Sequence, residues 1–201
     1  MPTSREIINA FIGAWKIARR DPSALSHFDF SADAFWRSFA AFIFAMPFYL
    51  VFISAEWRMI GEADVVVTNS LLGYTVIEFL SYVSFWVLYP LSMIFVCRAI
   101  DLTQNYAPYI IVYNWSSVLV AVLLAPPYVL YSFGAASIET AAFLILLVFV
   151  TALLYRWQIA VAVFRTTPAI AAGIVAFELV LGFAINLVAS VLLQLAVGFG
   201  K

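Results

Sequence analysis

The chain is poor in the residues from which polar chemistry is built. Among its 201 residues there is one cysteine, Cys97, and one histidine, His27. A lone cysteine excludes an intrachain disulfide and any CxxC metal or redox motif. One His and one Cys cannot form a His/Cys metal cluster. Cys97, at the end of an apolar run, reads as a small hydrophobe. Charge is almost as scarce, with 10 Lys+Arg against 11 Asp+Glu and a net of −1. Neither sign dominates, so no overall field recruits nucleic acid or acidic ligands, and no nucleic-acid partner is expected. P-loop, GxGxxG, HExxH and GxSxG patterns are all missing, which removes the usual signatures of phosphate, dinucleotide, zinc-protease and serine-nucleophile chemistry. No catalytic residue, cofactor or metal is expected. The opening MPTSREIINAFIGAWKIARR has no uninterrupted apolar core and no small-residue cleavage site, so a secretory signal is not expected. Pro at position 2 and a terminal GFGK leave no myristoylation or prenylation signal.

What the chain does have is apolar surface: 66% of its residues are A, V, I, L, M, F, W, Y or C. Soluble domains are about half apolar and roughly a quarter charged. A soluble domain of this size cannot hide so much apolar surface beneath a polar shell. The sequence therefore predicts an all-α, polytopic transmembrane helical bundle, with the lipid bilayer as its first partner.

Residues 1–34 read as an amphipathic helix and linker, and residues 35–201 as a five-helix transmembrane domain. In residues 4–20, Ile7, Ile8, Phe11, Ile12, Trp15 and Ala18 recur at helical spacing, and Ile17 departs from that stripe. Asp21-Pro22 stops the helix. Trp15, Lys16, Arg19 and Arg20 are candidate membrane-interface anchors; packing on the protein's own face is the alternative, and the two are compatible. Spans are expected at about 35–55, 71–97, 107–131, 138–160 and 168–197, each long enough for the ~20 residues a bilayer core requires. Ser31 and Thr167 are natural caps, Pro168 a natural first helical residue, and Pro126-Pro127 is expected to bend or end the third span. Residues 56–70 form the most polar connection.

Orientation follows from Lys/Arg placement. With the N-terminus inside, Arg5, Lys16, Arg19, Arg20, Arg37, Arg98, Arg156 and Arg165 lie on the inner side, and Arg58 and Lys201 on the outer. This predicts an N-in, C-out protein of a cell membrane, of bacterial inner-membrane type.

Charges inside spans are costly, so each is a candidate for function. Glu178 begins a stripe with Gly182, Asn186 and Ala189, the small and polar kind of face that meets other helices. Arg156 lies as far before the turn near Thr167 as Glu178 lies after it, so the two fall at similar depth if both helices reach that turn. Asn114 falls near the same level. Alternatively, Tyr155-Arg156-Trp157 is an interface belt and helix four leaves the bilayer there. Glu78 is expected near the outer interface, on a run with Tyr74, Tyr82 and Tyr89 that reads as packing or as a groove. Gln158, Asn186 and Gln194 add hydrogen-bonding capacity.

The five-span plan resembles the Yip family of membrane proteins and its bacterial relatives. The similarity lies in YAPYIIVYNWSSVLVAVLLAPPYVL, a polar-aromatic third helix running into Pro, and in YRWQIAVAVFRTTPAIAAGIVAFELVLGFAINLVASVLL, an aromatic/basic helix end, short turn and Ala-rich fifth helix. It spans residues 70–195. For eukaryotic members the family implies a role in membrane trafficking; their Asp-Leu-Tyr-Gly-Pro motif has no counterpart here, and no residue role is carried over. The leading expectation is a non-enzymatic scaffold, assembly factor or accessory subunit of a membrane complex, with another membrane protein or a second copy as partner. The alternative is a small oligomeric transporter or channel component using Glu178 and Arg156. A lipid-modifying enzyme stands third.

Overall fold

The computed structural model describes residues 1–62 and 71–198, with side chains through Gly61 and from Leu71 to Leu193. Lys201 and the Gln194 side chain lie outside this set, as does most of the polar connection. The described chain is helical: α1 (Ser4–Ala18), α2 (Ala32–Ser38), α3 (Ala41–Glu62), α4 (Leu71–Ala99), α5 (Tyr106–Ser132), α6 (Ile138–Phe164) and α7 (Pro168–Gly198), with single 3₁₀ turns at Ala24–His27 and Thr103–Asn105. Among the described residues five helices are long and apolar enough to cross a membrane, α2 and α3 together making the first. The architecture is that of a multi-pass membrane protein.

The centre of the bundle is α5. Eight consecutive residues, Tyr109 to Ser116, are buried whatever side of the helix they occupy, which is the mark of a helix surrounded by others. Helices α3 and α6 flank it, α7 packs on α6 and α4, and α4 touches α3 and α5 more lightly. The α4–α5 and α6–α7 turns share one end, joined where the Asn105 amide donates to the Val163 carbonyl at 2.9 Å. Both α1 and α2 pack at that end, hereafter the basic end.

Several boundaries differ from the sequence reading. The first span is not one helix over 35–55, and the division at residue 34 falls inside α2. The chain breaks at Phe39–Ala40, where the Ser38 hydroxyl donates back to the Phe35 carbonyl at 2.7 Å; a serine bonded to its own backbone competes with helix continuation. The helix then runs on to Glu62, because Glu56 and Arg58 find partners inside the protein: the Tyr128 hydroxyl donates to Glu56 at 3.1 Å, and Arg58 donates to the Ser132 carbonyl at 2.8 Å. Pro126-Pro127 does not end the third span, which continues to Ser132. Ser31 caps α2 by accepting from the Ala34 amide at 3.2 Å, and the Thr167 hydroxyl accepts from the Ile170 amide at 3.3 Å.

The N-terminal helix has two apolar faces where the sequence suggested one. Ala10, Gly13, Ala14 and Ile17 are buried against α5, α6 and the first 3₁₀ turn, so Ile17 belongs to the packed face. Ile8, Ile12 and Trp15 are exposed, flanked by exposed Arg5 and Arg19. Helix α1 ends at Ala18 rather than at residue 20, because Arg20 takes a left-handed φ of 56° and the Asp21 amide turns back to the Lys16 carbonyl at 3.0 Å. Lys16 is engaged there, donating to the Ser23 hydroxyl at 2.8 Å beside Asp21. Arg37 clamps the assembly, with its Nε 2.8 Å from Glu6 and its Nη2 3.1 Å from Asp29.

Two measurements check this packing. A Cβ at Gly13 would sit 2.4 Å from Cε2 of the Phe28 ring, so Gly13→Val should cost about 1–3 kcal/mol and raise hydrogen exchange across residues 4–18; unchanged exchange would contradict the docking. The Ser31 backbone N–H, the Ser31 hydroxyl and Arg37 hold the Asp29 carboxyl below its ordinary range. A depressed carboxyl contributes stability above the unfolded value near ~3.9 and loses it as pH falls through the folded one. Asp29→Asn should therefore remove a small part of the acid sensitivity of α1–α2 docking, with no effect at neutral pH beyond the lost pairing.

Candidate functional site

The polar centre of the bundle is organised by Arg156 on α6. Its side chain is 9% exposed, and its Nε lies 3.3 Å from Oε1 of Glu178 on α7. Nη1 donates to the Tyr113 carbonyl at 3.2 Å and Nη2 to the Ser117 hydroxyl at 2.9 Å. The guanidinium carbon sits 3.9 Å from the centroid of the Tyr113 ring, within cation–π range. The Tyr113 hydroxyl completes the loop by donating to Oε1 of Glu178 at 2.6 Å. Helix geometry makes this possible: Tyr113 and Ser117 are one turn apart on α5 and present carbonyl, ring and hydroxyl to one side. Three helices are thereby tied at one level, and the positive charge is matched by a carboxylate. Tyr155 and Arg156 are thus buried inside the bundle.

Two further bonds lie at this level. Asn114 donates to the Ser38 hydroxyl at 2.9 Å, fixing the α2–α3 break against α5. The Tyr155 hydroxyl donates to the Ala14 carbonyl at 2.8 Å and lies 3.0 Å from the Ser116 hydroxyl. Asn114 is adjacent to Tyr113 but does not bond the Arg156–Glu178 pair. Its Oδ1 is buried without a partner, as is Oε2 of Glu178.

From this layer a cavity of about 350 Å³ extends between α3, α4, α5 and α7 toward the opposite end. Arg156, Asn114 and Ser117 line its inner part; Tyr49, Glu56, Glu78 and Tyr82 line its outer part. Its walls are aromatic. Tyr49 stacks on Tyr82 with centroids 4.1 Å apart, and the Tyr49 hydroxyl donates to the backbone carbonyl of Glu78 at 2.9 Å. Glu78, about two turns into α4, lines this cavity. Of its expected run, Tyr82 and Tyr89 line the same cavity, whereas Tyr74 is buried against Trp57, with centroids 5.3 Å apart. Gly182 and Asn186 of the α7 stripe line the cavity's far wall, Asn186 at its exposed rim. Trp15 lies apart on the outer face of α1 and Lys16 in its last turn, with Arg19 at the helix cap and Arg20 just beyond it.

Sequence reasoning missed Glu56, Tyr113 and Ser117. Glu56 stood next to Arg58 and Glu62, and the cluster resembled a loop. The i, i+4 spacing of Tyr113 and Ser117 opposite Arg156 was the available signal for the other two. Among the described residues no group of three or more His, Cys, Asp or Glu could hold a metal ion. The cavity offers carboxylates, hydroxyls, amides and ring faces, which suit binding of a polar or amphipathic molecule. No protein-family model, curated protein or solved structure matches the chain.

Removing one member of a buried ion pair strands the other, at a cost of about 3–5 kcal/mol. Glu178→Ala should destabilise the detergent-solubilised protein by that order in thermal unfolding. The double variant Glu178→Ala/Arg156→Met should lose less than the sum of the single variants, since the two side chains act as one unit. Additive losses would show that the charges are independent.

Proposed function

We propose that the chain is a non-enzymatic, multi-pass membrane protein that acts by binding, as a scaffold, assembly factor or accessory subunit of a membrane complex. In this reading it sits in a bacterial inner membrane with the N-terminus inside and the C-terminus outside, because the basic end then meets the cytoplasm. The outer face of α1 supports the same placement: Arg5, Ile8, Ile12, Trp15 and Arg19 form an exposed stripe of apolar residues between two cations, suited to a head-group layer. A place beside the Yip family is part of the proposal, on the strength of the five-helix order and the α6–α7 hairpin.

The observation that carries the reading is a groove on the outer surface between α4 and α7. Ser81, Ser84, Ala184 and Ala189 give it small side chains, and Leu88 and Val188 border it. Small residues let a second helix approach closely, and in lipid such packing drives helix association. The occupant would be a transmembrane helix of another protein or of a second copy. The interior cavity favours a second reading, a component that passes or holds a small ligand.

Filling the groove separates the two. Native mass measurement in mild detergent should find the wild-type chain in a particle larger than its 22.4 kDa monomer, and Ser84→Trp/Ala184→Trp should return it to the monomer with unfolding temperature unchanged. A wild-type monomer with no companion, or a complex indifferent to the two tryptophans, would refute the scaffold reading.

A further inference from the structure

The charges that face the interior cavity do not balance. Glu56 on α3 and Glu78 on α4 both line its outer part. Arg156 is the one cation among its lining residues, and that guanidinium is held by Glu178. Arg58, two residues beyond Glu56, is turned to the Ser132 carbonyl and the Tyr131 ring. Among the described residues no ion pair to Glu56 or Glu78 is formed; Glu56 accepts a hydrogen bond from the Tyr128 hydroxyl at 3.1 Å, which leaves its charge unmatched. A carboxylate in an apolar bundle is costly unless an opposite charge or several hydrogen bonds attend it.

A second, independent feature lies at the inner part of the same cavity. Asn114 is 1% exposed and lines the cavity. Its amide nitrogen is engaged by Ser38, while its carbonyl oxygen has no partner. A buried acceptor without a donor costs about 1–3 kcal/mol, and a donor group on a bound molecule would remove that cost. Between the acids and Asn114 the wall includes Tyr82, whose ring is already stacked with Phe42 and Tyr49, and Trp86, an indole of the kind that attracts cations and packs against apolar bodies.

We infer that this cavity is a binding site for an amphipathic organic cation, with an amine or quaternary ammonium head beside Glu56 and Glu78, an apolar body along Trp86, and a hydrogen-bond donor reaching Asn114. The volume suits a small molecule, since ligand pockets begin near ~300 Å³. A hydrated or caged metal ion fits less well: calcium and magnesium take six or more oxygen ligands in a polar shell, and this site pairs two carboxylates with aromatic walls. The cavity shares Ser81 and Ile185 with the α4–α7 groove, but none of the groups assigned to the ligand lies in that groove, so the inference does not require a partner helix to dock there.

The test uses the full chain in nanodiscs of zwitterionic lipid, with benzyltrimethylammonium as probe. Binding is read by tryptophan fluorescence, through Trp86, and by calorimetry. The wild type should bind the probe saturably, and the neutral N,N-dimethylbenzamide should bind at least tenfold more weakly. Glu78→Gln and Glu56→Gln should each weaken the probe at least tenfold, and Glu139→Gln, an exposed acid at the same end of the bundle, should leave it unchanged. Unfolding temperatures confirm that each variant is folded; if Glu56→Gln is not, Glu78→Gln and Trp86→Leu decide. Equal affinity for the neutral probe, insensitivity to Glu78→Gln, absence of saturable wild-type binding, or displacement of the probe by millimolar Mg²⁺ would each overturn the inference, the last by making the site a metal site.

Discussion

A guanidinium inside an apolar bundle has to be surrounded by acceptors, and every helix that supplies one is fixed by the obligation. Arg156 draws its acceptors from the Tyr113 carbonyl, the Ser117 hydroxyl and the Glu178 carboxylate. These belong to α5 and α7, so one side chain from α6 sets the mutual position of three helices. The Tyr113 hydroxyl on Glu178 closes the circuit. The arrangement leaves α5 no lipid-facing side over Tyr109 to Ser116 and makes it the most enclosed of the five spans.

The same level ties the N-terminal region to the bundle. Asn114 holds Ser38 at the break between α2 and α3, and Tyr155 holds the backbone of α1 at Ala14. A polar layer thus crosses the basic end, and the cavity begins where that layer stops. The positive charge is spent within the layer, and two carboxylates on the far side of the cavity are left facing aromatic walls. The interior of the bundle thus holds a paired charge at one end and two carboxyl groups without a cationic partner at the other.

Much of this was legible in the sequence, for physical reasons that differ by element. Five spans follow from the length of apolar runs, and the caps at Ser31 and Thr167 from the rules of helix ends, because both depend on local chemistry. The meeting of Arg156 and Glu178 could be framed by counting residues from the turn near Thr167, since two helices joined by a short turn share depth. What could not be read was anything decided by a third helix. Tyr113 and Ser117 look like ordinary span residues until Arg156 lies beside them. Glu56 reads as part of a polar loop until Tyr128 lies opposite and lets α3 continue. The two faces of α1 illustrate the same limit: periodicity located the apolar residues, but only the neighbouring α5 and α6 decide that the small ones pack and that Ile8, Ile12 and Trp15 face outward.

The central claim is that Arg156 and Glu178 form an ion pair inside the bundle. Solid-state NMR on bilayer-reconstituted protein tests it most directly, using ¹⁵N-labelled arginine, ¹³C-labelled glutamate and a Glu6→Gln background that removes the only other Arg–Glu contact among the described residues. The Nε–Oε1 separation of 3.3 Å predicts strong dipolar dephasing between the Arg156 Nε and the Glu178 carboxyl carbon, with guanidinium protons that exchange slowly with water. No dephasing, together with rapid exchange, would contradict the account.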